Sequence, residues 1–245
     1  MNEPPPPPPI NRVVVAHRIV QAGLFLTLTW KWSYFVGASR VYGTIVLDDP
    51  FFPAWLQSAW TVRIAFVAAV AACSLNLVTA SRNLQRACAW ISLISATVLC
   101  MHQASYNDMT FVTAWWTSVW ALWYVHRLDD EDQDLLLSRA AFLSRSIISM
   151  ILLGGAIGKW TPEYWSGEVL YDIYFIDRDF WLFNALRATF EQDTLREIAK
   201  WYSRHVIATE TIAGAFLWLL PPKWAAAAAM TIQAVFMKTM FFMAF

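Results

Sequence analysis

The sequence is poor in charge and poor in cysteine. Only 15% of its 245 residues are Asp, Glu, Lys or Arg, while 58% are hydrophobic. Soluble domains carry about 25% charged and about 45–50% apolar residues, so the shortfall excludes an ordinary water-facing surface. It also excludes a disordered chain, which would need few apolar residues and a strong net charge. Basic and acidic residues balance at 18 each, which removes the electrostatic basis for a nucleic-acid partner. The three cysteines, Cys73, Cys88 and Cys100, lie in or beside apolar stretches and form no C-x-x-C pair. That argues against a disulfide framework or a zinc site and for small apolar fillers in helix packing. Soluble-enzyme motifs are missing as well: no G-x-S-x-G, no H-E-x-x-H, no P-loop and no G-x-G-x-x-G occurs. The histidines at 17, 102, 126 and 205 have no ligand spacing, and no metal is expected. A facing His102/His205 pair is conceivable, with interfacial polar packing the simpler account. The N-terminus lacks the basic stretch, apolar core and small-residue cleavage site of a secretory signal.

What the sequence does have is long apolar runs and tryptophan, 15 of them. Seven segments stand out: Val13–Val36, interrupted by Arg18 and Lys31; Ala59–Ala80; Ala87–Met101; Met109–Tyr124; Ala141–Ile157; Val206–Leu220; and Trp224–Phe245. Each approaches the ~20 residues that cross a bilayer as a helix, and none shows the ten-residue alternation of a membrane β-barrel. The expectation is an all-α polytopic transmembrane helical bundle of six to seven spans over residues 13–245, with the lipid bilayer as its first partner. Residues 1–12 precede it as a proline-rich cytoplasmic tail. Pro4 to Pro9 form a short polyproline II rod there, a stiff spacer or a docking element.

Short-loop basic residues set the orientation. Arg12, Arg82, Arg86, Arg127, Arg139, Arg145 and Lys223 fall in loops on one side, which the positive-inside rule makes cytoplasmic. The N-terminus is then cytoplasmic, and the bacterial inner membrane is the expected location. The Asp129–Asp134 run, DDEDQD, reads as a solvated loop, since it lacks the glycine and closing glutamate of a calcium-binding loop. Between spans five and six, Lys159 to Arg204 is amphipathic and aromatic. Tyr164, Trp165, Tyr171, Tyr174 and Trp181 suit the headgroup layer, and the stretch with Glu191, Arg196, Glu197 and Lys200 suits an interfacial helix.

Ionisable residues at membrane depth are costly and mark a pathway, a site or a buried pair. Here they are Lys31, Arg63, Lys159, Glu210 and Lys238. Glu210 with Lys238 or Arg63 makes a plausible ion pair, read either as a bridge that fixes helix register or as a functional site. Lys159 follows Gly154, Gly155 and Gly158 and precedes Trp160, Thr161 and Pro162. Pro162 ends the helix, so Lys159 sits on its last outer turn. Two readings stand for it: snorkelling to the interface, or a general base in a dry aromatic pocket.

Several blocks resemble a known family. Ile151–Gly167, ILLGGAIGKWTPEYWSG, resembles the AG-x-x-K-x-x-x-x-W-x-x-G region of the vitamin K-dependent gamma-carboxylase-like family, the HTTM domain. Ser105–Tyr106–Asn107–Asp108 resembles the family's Ser-aromatic-Asn-Asn turn, with Met109 where the carboxylase has histidine. Glu210, Gly214 and the Leu217–Trp224 run LWLLPPKW resemble its acidic residue, glycine and proline-basic turn. The resemblance spans about residues 75–240 and implies a helical membrane bundle. It implies Lys159 as the base that deprotonates a reduced vitamin K or menaquinol-type quinone, and Asn107 as a residue that orients the quinol. Trp160, Tyr164 and Trp165 would line the apolar pocket, with Glu210 and Lys238 contributing to substrate binding.

Three functions follow. The first is a quinol-dependent, carboxylase-like membrane enzyme, a lyase or oxidoreductase. The second is a non-catalytic structural or assembly subunit of a larger membrane complex, with membrane-protein partners. The third, a DoxX-like electron-transfer component, needs a redox cofactor for which no Cys or His cluster is present.

Overall fold

The structure, a computed structural model, describes residues 11–41, 44, 54–103, 109–129, 132–176, 178–228 and 231. The described residues are helical, without strands. The chain divides into two compact units, Met1–Leu143 and Ser144–Phe245.

The first unit holds α1 (Arg12–Trp30), α2 (Trp32–Val41), a 3-10 turn (Ala54–Leu56), α3 (Ala59–Val78), α4 (Arg82–Cys100), α5 (Met109–Arg127) and the start of α6 (Gln133–Gly158). Polar side chains start three of these helices. The Asn11 Oδ1 accepts from the Val13 and Val14 amides at 3.1 and 3.2 Å. Ser58 caps Thr61 at 3.1 Å, and Asp132 caps Asp134 and Leu135 at 3.0 and 3.2 Å. Each cap satisfies amides that have no intrahelical acceptor. The first apolar segment is two helices, broken at Lys31, whose backbone leaves helical geometry (φ −84°, ψ 10°). Leu24, Leu28, Phe35, Val62, Ala65, Phe66 and Phe111 make the core of this unit.

α3 is apolar around most of its circumference, Arg63 and Asn76 apart. It buries Val62, Phe66, Ala69 and Cys73 while exposing Trp60, Ile64, Val67, Leu75 and Val78. A helix this apolar, with a greasy outer face, suits lipid as its surroundings. α1, α3 and α6 are each long and apolar enough to cross a membrane, which is compatible with an integral membrane protein. Part of the acidic run has structural work. Asp129 bridges Arg82 at 3.2 Å and Arg86 at 3.0 Å, and Asp132 caps α6.

The second unit holds the rest of α6, α7 (Pro162–Ser166), α8 (Glu168–Tyr171), a π turn (Asp172–Ile176), α9 (Trp181–Thr189) and α10 (Gln192–Leu219). Residues 222–228 are helical too. The sixth apolar segment is therefore the C-terminal half of a longer helix. α10 starts fourteen residues before Val206 and carries Arg196, Glu197, Lys200 and Arg204 in its first half. Amphipathicity there comes from packing: α7, α8 and α9 fold back onto that half. Tyr171, Phe175, Phe180 and Phe183 bury against Leu195 and Ala199.

Candidate functional site

α6 and α10 run antiparallel, joined by a ladder of polar contacts. Arg145 donates from Nε to the Leu217 carbonyl at 2.8 Å and from Nη2 to the Leu217 and Leu220 carbonyls. The Ser149 hydroxyl donates to the Gly214 carbonyl at 2.8 Å and accepts from Trp218 Nε1 at 2.9 Å. At the far end of the ladder, Lys159 Nζ donates to Glu210 Oε1 at 2.9 Å, to Glu210 Oε2 at 2.7 Å and to the Gly155 carbonyl at 3.1 Å. The pairs 145/217, 149/214 and 159/210 step along the two helices in opposite senses, as antiparallel packing requires.

Glycine makes the approach possible. A Cβ at Gly155 would stand 3.3 Å from Glu210 Oε2 and 3.5 Å from Lys159 Nζ. A Cβ at Gly214 would meet the Leu153 side chain at 2.7 Å. Small residues at such a seam let the backbones close, and polar side chains then reach across.

The partner of Glu210 is therefore Lys159. Neither lysine nor carboxylate is fully sheltered: the side chains keep 26% and 16% exposure. Arg63 belongs to the first unit, donates to the Ser39 hydroxyl at 3.3 Å and lies over the Trp60 ring. Lys238 and Asn107 lie outside the described residues. Lys159 sits just beyond the last residue of α6, the terminal turn expected of it, but its ammonium points to a carboxylate across the seam.

Tyr164 stands next to this pair. Thr161 caps α7 through the Tyr164 amide, with Pro162 at the first helical position, a favoured start for a short helix. α7 ends at Gly167, whose φ of +87° only glycine adopts without strain. A side chain there would also strike the Lys200 backbone. The Ser203 hydroxyl donates to the Tyr164 carbonyl, and Arg204 Nε to the Trp165 carbonyl at 3.4 Å. Together these dock α7 on α10 just under two turns before Glu210. Burial, then the Glu210 charge, push the Tyr164 hydroxyl above the ordinary phenol range. Tyr174 is raised by burial, with the Arg178 guanidinium over its ring opposing.

Trp160 and Trp165 face outward, 66% and 47% exposed, with ring centroids 6.4 Å apart. The Arg204 guanidinium lies over Trp165. A cavity of about 300 Å³ lies in the first unit between α2 and α3. It is walled by Trp32, Phe35, Arg40, Arg63 and Phe66, and Arg63 is one of the ionisable residues that the sequence singles out.

Two sets of polar residues carry no signature that the sequence reading used. Arg145 reads as the flank of a cytoplasmic loop, yet it lies inside α6 and holds the end of α10. His17 and Gln21, one turn apart, lie on the same stripe of α1 as Leu24 and Leu28. That spacing, i and i+4 within an apolar stripe, was the available signal. Comparison with protein-family models, with curated proteins and with solved structures finds no match.

Proposed function

We propose that this chain is a polytopic helical protein of the bacterial inner membrane, with six to seven spans and a cytoplasmic N-terminus. We further propose that Lys159 and Glu210 form the proton-exchanging centre of a quinol-dependent reaction of the carboxylase-like kind. The observation that carries this reading is the 2.7 Å pair itself, set between an apolar helix long enough to span and its antiparallel neighbour. An ionisable pair in such a setting is costly to keep without a task. In this reading Glu210 holds the lysine at the seam. On quinol binding, the carboxylate takes up the proton the lysine carries, and the freed amine accepts the quinol hydroxyl proton. Tyr164, whose hydroxyl keeps its proton at neutral pH, donates a hydrogen bond to the anion formed. Trp160 and Trp165 flank the outer approach at the headgroup layer. Asn107 would orient the quinol and Lys238 would contribute to its binding, as the family resemblance implies.

A second reading, a structural or assembly subunit, is favoured by one observation. All three ammonium hydrogens of Lys159 have acceptors, two on Glu210 and one on Gly155, so the pair also serves as a register lock for α6 and α10.

Replacing both members separates the two. In the double variant Lys159→Met with Glu210→Met, a register lock is exchanged for apolar packing, and stability is expected to hold or rise. The purified membrane protein is then tested for oxidation of a reduced menaquinone analogue. Turnover by the parent and none by a folded double variant supports the enzyme. The absence of turnover in the parent, with unchanged complex formation in mild detergent, favours the subunit.

A further inference from the structure

The first unit carries a set of polar groups of its own. Three side chains there are enclosed yet leave polar atoms unpaired: His17 and Gln21 on α1, 1% exposed each, and Asn76 on α3, fully buried. His17 Nε2, both amide atoms of Gln21 and both amide atoms of Asn76 have no partner among the described residues. Buried polar groups are almost always hydrogen-bonded, and an orphan costs about 1–3 kcal/mol. Five such atoms in one neighbourhood call for a shared partner.

The register brings the three together. Leu24 and Leu28 of α1 pack with Val62, Phe66, Ala69 and Cys73 of α3 in one core. Continuing outward at about 1.5 Å per residue, His17 lies about 16 Å from Leu28, and Asn76 about 15 Å from Phe66. Both lie on the buried stripes of their helices. The same end of the unit holds Tyr124, whose hydroxyl donates to the Val13 carbonyl at 2.9 Å. Its ring stacks parallel to His17, centroids 6.1 Å apart, and on Trp120 at 4.6 Å. The column Trp120–Tyr124–His17 fixes the imidazole in place. Gln85 on α4 is already satisfied, donating to the Thr79 carbonyl at 3.1 Å and accepting from Arg82 at 2.8 Å, whereas Arg86 Nε is buried without a partner among the described residues.

We propose that His17, Gln21 and Asn76 form an internal hydration site, holding ordered water between α1 and α3. The donor set selects the ligand. The two amides offer donors and acceptors in equal measure, and the imidazole nitrogen is either, according to tautomer. Water, which donates and accepts, matches this set. A cation does not: the trio holds no carboxylate, and the charges that act on His17 are the guanidiniums of Arg82 and Arg18. An anion would leave Gln21 Oε1 and Asn76 Oδ1 unsatisfied. This site is independent of the Lys159 reading and stands if that reading fails.

Radiolytic hydroxyl footprinting of the full chain in lipid nanodiscs tests it, because hydroxyl radicals formed from bound water label only adjacent side chains. His17 and Tyr124 are expected to be oxidised several-fold faster than the equally buried Phe66 and Phe111 of the neighbouring core. Asn76→Leu, which keeps the shape and removes an anchor, is expected to lower the His17 rate several-fold and to lower the melting temperature. His17 labelling no faster than Phe66 in the parent overturns the proposal without any variant. So does His17 labelling that Asn76→Leu leaves unchanged, or a melting temperature that Asn76→Leu raises, the mark of a dry and unpaired amide.

Discussion

The Tyr164 ring packs where burial and the Glu210 carboxylate both act on its hydroxyl. Both favour the neutral phenol, so the folded protein holds this proton to higher pH than the unfolded chain, whose phenols titrate near 10. The raised folded value fixes the sign of the pH dependence. Stability from this residue is complete below about pH 10 and is lost as pH rises from there through the folded value. Tyr164→Phe is therefore expected to flatten the loss of stability above pH 10, with little change at pH 7. Chemical denaturation across pH 8 to 11 measures it, and an unchanged alkaline slope would show that neither burial nor the carboxylate holds this proton. Lys159 and Glu210 invite the complementary change. Breaking the pair from one side, as in Lys159→Met alone, strands a carboxylate at the seam. It is expected to cost about 2–3 kcal/mol, below the roughly 3–5 kcal/mol of a fully buried pair because both side chains keep some exposure. Urea unfolding in detergent reads that loss.

At the scale of elements, the sharpest constraint is the turn that follows α6. Pro162 was legible as the stop of α6, but the short helix α7 that begins at it and ends at Gly167 was not. Gly167 is held twice, by its φ of +87° and by the Lys200 backbone against its open side. Gly167→Ala is therefore expected to destabilise the second unit by about 3 kcal/mol or more, since it meets both strain and a clash with main chain. Thermal unfolding followed by far-ultraviolet circular dichroism checks this, and a loss within experimental scatter would mean that α7 lifts from α10 at little cost. The partner of Glu210 was not legible for a related reason. Sequence distance gives no register between helices, so Arg63 and Lys238 fitted Glu210 by sign alone and Lys159, 51 residues away, was not considered as its partner. The packing of Gly155 and Gly214 against Glu210 and Leu153 brings Lys159 to it. Buried polar residues such as Gln21 and Asn76 were silent because apolar patterning averages over a single amide in a long run.

For the molecule as a whole, composition pointed to helices and to a membrane, and the described residues are helical, with three helices long and apolar enough to cross one. Exact spans were less legible. Lys31 divides the first segment, and charged residues at the start of α10 extend the sixth by four turns without adding apolar length. What ties the spans to a side is the pairing of Arg82 and Arg86 with Asp129, which gathers the charges that follow α3 and α5 at one end of the first unit. Basic residues in short connections are retained on the cytoplasmic side, so this end is expected to face the cytoplasm. Ser81, between α3 and α4, marks it without touching the bridges. With Cys73, Cys88 and Cys100 replaced by alanine, a Ser81→Cys variant is expected to react with a membrane-impermeant maleimide in inverted vesicles and to stay unlabelled in intact spheroplasts. Cys73 and Cys88 are buried and Cys100 is partly exposed, and the replacements silence their background. Labelling in spheroplasts would invert the topology and move Lys159 with its flanking tryptophans to the other face of the bilayer. A quinol site at the outer face would then lose its premise, while the α6–α10 seam, which depends on packing alone, would stand.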